Sequence, residues 1–168
     1  QLGENKTLIT AEPIAMSGVR HIEVEYDGKT MEDDVIVDVV MQYNDSDRYQ
    51  IQCYANSIFN ADGGTPLSGF RSSPTRAINN YAKSNNLLKD KAPSLNGDDV
   101  REGLVAVISV KMPNPRFSSQ TKDKLVNTEI EGVVSSVVYE ELKEYFEENP
   151  AVAKIAGMLG IRVCGDAK

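Results

Sequence analysis

Gln120 and Lys122 stand two residues apart in a polar segment that begins where Pro113 and Pro115 forbid regular strand pairing. A lysine ammonium is a compact charge carrying three donors and therefore suits an oxyanion such as phosphate; Gln120 would add a neutral amide donor. By themselves, Lys122 and Lys124 read simply as solvent-facing loop lysines. Arg71, Thr75, Asn79 and Lys83 recur at steps of four, so in a helix they share one exposed side and could offer two positive charges to a partner. Asp98 and Asp99 could be imagined as magnesium ligands, but their place before a helical turn favours capping. His21 is the only histidine and has no second ligand beside it, so it is assigned no role. Cys53 and Cys164 are too few and too widely spaced for a disulfide framework or a metal cluster, which leaves reduced thiols.

The elements that must position these groups follow from periodicity. Thr7 to Met16 and Arg20 to Tyr26 alternate apolar and polar residues before Asp27-Gly28-Lys29, as the entry to a hairpin does. Asp34 to Tyr43 is rich in β-branched residues, and Asn44 to Asp47 should turn it into a second hairpin with Tyr49 to Ala55. In that last strand Ile51, Cys53 and Ala55 share a face, which makes Cys53 a core residue. A helix should start near Thr65, after Gly63-Gly64, with Leu67, Phe70, Pro74, Ala77, Ile78, Tyr81 and Ala82 inward. Pro74 within it predicts a kink, or a start near Ser73.

Asp98 to Gly103 reads as a short helical turn closed by glycine. The nearly continuous apolar run Leu104 to Val110 suits a central strand covered on both faces. A second helix from about Asn127 carries Ile130, Val133, Val134, Val137, Val138, Leu142, Tyr145 and Phe146 inward and acids outward. Pro150 should break it, leaving a weaker, glycine-interrupted helix in the tail. Strands, helix, strand, long helix predicts a two-layer α/β (α+β) sandwich, with helices packed on a mixed β-sheet.

The 168 residues suffice for one domain with its own core. No apolar run approaches the roughly 20 residues of a bilayer span, and the first residues lack the pattern of a secretory signal. A cytoplasmic protein without membrane contact is expected. The net charge of −7 argues against coating nucleic acid by bulk electrostatics, so any DNA contact must be local.

The segment from Asn114 to Asn127, centred on Gln120-Thr121-Lys122, resembles the loop by which the B subunits of bacterial type II topoisomerases reach their nucleotide. Gly63-Gly64-Thr65, Gly69-Phe70-Arg71, Asp98 to Leu104 and Ser109-Val110-Lys111 match the same family, from Asn5-Lys6-Thr7 to Asn149-Pro150. Asp99 to Leu104 and Gln120 to Val126 look like DNA gyrase versions of these words more than topoisomerase IV versions. Two stretches depart from the family pattern: Pro74 replaces a helix-compatible apolar residue, and Ile155 to Lys168 lacks an Ala/Arg-rich helix.

The resemblance implies that residues 1–150 form a transducer domain with a ribosomal-protein-like fold, and that 151–168 form a tail. Such a domain lies between an ATP-binding domain and a DNA-cleaving metal-binding domain, and alone it is catalytically incomplete. Lys122 would sense the terminal phosphate of ATP and stabilise transition-state charge, with Gln120 and Lys122 contributing to the ATP site. ATP with Mg2+ would be the parent protein's cofactor, and none is expected on the isolated segment. Arg71 matches an arginine that lines the cavity enclosed by two copies of the protein, so it is the candidate contact for double-stranded DNA. Gyrase A and a second gyrase B, two of each in the assembly, would be the partners, with the isolated domain a monomer. The competing readings are the equivalent domain of topoisomerase IV, the middle domain of a related ATP-driven clamp, and a free-standing nucleic-acid-binding α/β module.

Overall fold

A computed structural model describes residues 13–43, 49–84 and 103–149. The expected turn at 44–47, the helical turn from Asp98, Pro150, Cys164 and the tail helix lie outside them, as do Thr7 to Glu12. The first described elements are strands β1 (Ile14–Tyr26) and β2 (Lys29–Tyr43), joined at Asp27-Gly28. Both turn residues have positive φ, 48° and 76°, the backbone of a tight two-residue hairpin. Strands β3 (Gln50–Ala55) and β4 (Ile58–Asn60) form a second hairpin around Asn56-Ser57. The two-residue β5 (Gly63–Gly64) then leads directly into helix α1 (Thr65–Ser84). After β6 (Leu104–Lys111) come a short β7 (Lys124–Leu125) and helix α2 (Glu129–Glu148).

The main sheet has the order β1-β2-β6-β3-β4 and is mixed, β6 running parallel to β3 and antiparallel to β2. This corrects the expected hairpin between β2 and β3, because β6 lies between them. The physical reason is composition: β6 is apolar on both faces up to Ser109, whereas β3 presents Gln50 and Gln52 on its outer face. The more apolar strand takes the centre. A parallel β3–β6 pair then requires a crossover, which α1 provides.

Every second residue of β2 from Asp33 to Tyr43, and of β6 from Leu104 to Val110, is buried beneath the helices. The expectation that β6 is covered on both faces is therefore also corrected. The described helices cover one face only, and the other exposes Val19, Ile36, Val40 and Phe59. β-Branched side chains on this face are partly covered by their cross-strand neighbours, so alternation is weak in the sequence although the burial is one-sided.

Helix α1 continues through Pro74 as one element, so it does not start near Ser73. The residue before it ties the two helices together: Ser73 Oγ donates to the Gly69 carbonyl at 2.7 Å and lies 3.1 Å from Ser135 Oγ on α2. Tertiary packing outweighs the local propensity. The two helices lie side by side in the same direction, Gly69 against Glu131, Ser73 against Ser135 and Tyr81 against Phe146. Gly69 sets their approach, since a Cβ there would stand 2.3 Å from the Glu131 carbonyl oxygen. Ile130, Val133, Val134, Val137, Val138, Leu142 and Phe146 form the buried stripe of α2 as expected.

Candidate functional site

Gln120 and Lys122 occupy the tip of a hairpin built by residues 114–127. Its legs pair through Val126 N–H to the Arg116 carbonyl (2.9 Å), Ser118 N–H to the Lys124 carbonyl (3.0 Å) and a bridge between Phe117 and Leu125. Lys122 N–H donates to the Ser119 carbonyl at 3.1 Å, which closes a turn with Gln120 and Thr121 in its centre. The hydroxyls of Ser119 and Thr121 lie 2.7 Å apart, and Thr121 Oγ1 donates to Asp123 at 2.7 Å, so the polar side chains of the turn satisfy one another. Gln120 and Lys122 both face solvent.

Lys122 has φ of 58°, in the left-handed region. A side chain there costs about 1 kcal/mol. Among the described residues it is the only non-glycine residue with positive φ outside the two-residue hairpin turns. Its Nζ lies 5.8 Å from the centre of the Phe117 ring, and no described carboxylate pairs with it. The ammonium is thus available to an anion from outside, which is the chemical fit a phosphate oxygen requires.

Two attachments hold the hairpin to the rest of the fold. The first is the segment before α1. Asn60 Nδ2 donates to the Lys122 carbonyl at 2.6 Å, Asp62 N–H to the Asp123 carbonyl at 2.8 Å, and β5 pairs in parallel with β7. Gly64, with φ of 98°, permits this approach: a Cβ would lie 2.1 Å from the Leu125 carbonyl oxygen. The second attachment is Asn127, fully buried at the base. It accepts from Arg116 N–H (2.6 Å) and donates to the Asn114 carbonyl (3.3 Å) and the Glu129 carboxylate (3.0 Å), joining both legs to the start of α2.

The family described as DNA gyrase B matches residues 1–157. The chain belongs to the DNA gyrase B family. It is 45% identical over 153 residues to the DNA gyrase B protein of Caulobacter vibrioides, covering 91% of this chain and 18% of that one. The DNA gyrase B protein of Clostridium acetobutylicum is 41% identical over 154 residues, covering 92% and 22%. The chain thus spans about a fifth of the length of these curated relatives. Its fold matches the 43K ATPase domain of Thermus thermophilus gyrase B, solved with an aminocoumarin, at 39% identity and a TM-score of 0.82, covering 96% of this chain and 40% of that one. The topoisomerase IV ATP-binding domain of Francisella tularensis, solved with a small-molecule inhibitor, gives 26% and 0.72, covering 94% and 41%. The mixed sheet with helices packed on it is the fold of this part of the gyrase B ATPase region.

Arg71 is exposed on α1, as is Lys83, but Thr75 and Asn79 between them are half-buried, so the expected stripe is less open than its spacing suggests. Arg76 was not singled out by sequence reasoning. It is exposed and stacks over the Tyr139 ring of α2 at 4.3 Å. His21, read in the sequence as having no second ligand beside it, pairs with Asp34 directly across the β1–β2 ladder. Both side chains are largely exposed, so this is a surface pair. Asn60 and Asn127 also escaped notice, because the partner that gives Asn60 its role is 62 positions away. Cys53 is buried as expected, and burial pushes its thiol up to about 12, away from nucleophilic use. Among the described residues no cluster of His, Cys, Asp and Glu could hold a metal, and no helix is long and apolar enough to cross a membrane.

Proposed function

We propose that residues 1–150 are the transducer domain of a cytoplasmic gyrase B-type protein, coupling the nucleotide state of an adjacent domain to DNA strand passage. The observation that carries the reading is Lys122: an exposed ammonium on a left-handed residue, at the tip of a hairpin tied through β7 to β5 just before α1 and through Asn127 to the start of α2. Lys122 meets the terminal phosphate of ATP bound by that neighbouring domain, and Gln120 adds an amide donor. ATP with Mg2+ supplies the cleavable phosphoanhydride. As charge grows on the phosphoryl oxygens, a fixed ammonium stabilises it. Once its counter-anion has left, Lys122 no longer holds the hairpin to the nucleotide-bearing domain, and the two helices follow the hairpin.

The segment alone is catalytically incomplete and monomeric on this reading. The parent works with gyrase A and a second gyrase B on double-stranded DNA, with Arg71 as the contact on the α1 surface. The match to the DNA gyrase B family over residues 1–157 and the 41% and 45% identity to DNA gyrase B proteins favour gyrase over the topoisomerase IV equivalent.

The test is Lys122→Ala in the full-length protein. Loss of one donor aimed at transition-state charge should lower kcat for ATP hydrolysis by roughly a hundredfold, with the thermal midpoint unchanged. Wild-type turnover in that variant would reject the proposal.

A further inference from the structure

We infer that Asn60 is the positioning residue of the Lys122 hairpin: its carboxamide fixes the Lys122 carbonyl, and with it the direction in which the ammonium leaves the turn. The inference rests on the reading of Lys122 above and names the group that keeps it in place.

Asn60 ends β4 opposite Cys53 and is 1% exposed, on the helix-covered side of the sheet. A backbone carbonyl can only accept, so the carboxamide nitrogen must be the atom that faces Lys122, at 2.6 Å. Oδ1 then points away, buried and without a partner among the described residues. An orphaned buried oxygen lowers stability. Beside Cys53 and the core, an apolar side chain of similar size would avoid that cost. What asparagine provides in exchange is a donor to the turn itself.

That donor acts at a point that the backbone contacts between the hairpin and the segment before α1, together the clamp on the hairpin, do not reach. Asp62 N–H and the β5–β7 pairing hold Asp123, Lys124 and Leu125, but among the described residues only Asn60 holds the carbonyl that follows Lys122 Cα. The direction of that carbonyl is set by ψ of Lys122, while the bond from Lys122 N–H to Ser119 holds the preceding peptide. Together the two bonds fix both dihedrals of a left-handed lysine, a conformation it would otherwise leave.

The experiment compares Asn60→Leu, Asn60→Asp and Lys122→Ala in the full-length protein. Asn60→Leu removes the donor and the orphaned oxygen together, so its thermal midpoint should stay near that of the parent. Asn60→Asp keeps the shape and, in its ionised form, turns an acceptor toward the carbonyl, so it is measured at the alkaline end of the enzyme's working range. In both, hydrogen exchange at the Lys122 amide should rise roughly three- to tenfold, as expected for one lost hydrogen bond, while the amides of α2 keep their protection. The kcat for ATP hydrolysis should fall by a similar factor, with KM held within about twofold. A general loss of structure would lower protection everywhere and move the midpoint.

Unchanged exchange at Lys122 in the Asn60 variants overturns the positioning role, whatever the activity. Wild-type kcat in both Asn60 variants, beside a crippled Lys122→Ala, overturns it too. If Lys122→Ala itself hydrolyses ATP normally while exchange still rises, the reading of Lys122 fails and the structural role of Asn60 stands.

Discussion

Replacing Gly64 with alanine should separate two costs that are usually confounded, backbone strain and steric exclusion. Gly64 has φ of 98°, and its added Cβ would meet the Leu125 carbonyl oxygen at 2.1 Å and the Leu125 nitrogen at 2.8 Å. Those are backbone atoms, so no side chain can rotate away. β5 and β7 must part by more than an ångström to reach an ordinary contact, which breaks the parallel ladder between them. Strain at positive φ contributes about 1–2 kcal/mol, and each lost ladder bond about 1 kcal/mol. The expected destabilisation is about 3–4 kcal/mol, within the range that a domain of this size survives.

Gly28→Ala is the matched control. It too has positive φ, 76°, but nothing lies within 4 Å of the new methyl, so only the strain of about 1 kcal/mol remains. Equilibrium urea unfolding followed by circular dichroism, with the m-value checked for constancy, gives both numbers. If the two variants fall within about 1 kcal/mol of each other, the close approach of β5 to β7 is not what holds the hairpin, and the argument for the clamp fails.

Asn127→Ala removes three hydrogen bonds from a fully buried residue and strands the Arg116 N–H, so a loss of about 2–3 kcal/mol is expected in the same unfolding assay, together with faster exchange at Ser118 and Val126. Burial raises the Cys53 thiol from 9.0 to about 12 and raises the Tyr43 phenol as well, so the unfolded chain loses these protons first. The stabilisation they contribute is fully present below pH 9 and is lost as pH rises toward 12. The urea midpoint should therefore fall from about pH 9 upward, and a flat profile to about pH 11 would contradict the burial of both groups. In the full-length protein, Arg71→Gln should reduce the DNA-stimulated part of ATP hydrolysis severalfold and spare the rate without DNA; unaltered stimulation removes Arg71 as a DNA contact.

What the sequence made legible was local. Asp27-Gly28 and Gly63-Gly64 need backbone that few residues adopt, so the first announced its hairpin turn and the second the entry to α1. Seven apolar residues at helical spacing announced the buried face of α2. Partner choice was not local. β2 follows β1 and precedes β3, and only competition for the centre of the sheet decides that β6 separates β2 from β3. The same limit hid the site: Gln120 and Lys122 could be read as candidate groups, but Asn60, Asp62 and Gly64 gained their roles from a loop some sixty positions later. Pro74 misled in the opposite sense, since its local penalty is real and is outweighed by the contact between α1 and α2.

The position of the hairpin bears on how a signal from Lys122 could travel. One leg is joined by backbone to the residues that begin α1, and the base is joined by Asn127 to the residues that begin α2. The helices themselves are locked by Gly69 against Glu131 and by Ser73 against Ser135, contacts too close to slide. On the proposed reading, a pull on the tip therefore cannot move one helix past the other and must move the pair together. Arg20 ties α2 to β1 through Ser136 and Glu140, and Gly18 brings β1 within 3.0 Å of Val137 for an added Cβ. The displacement consequently reaches the sheet as well, and a small movement of one ammonium is expressed as a reorientation of the whole layer pair instead of being absorbed between its parts.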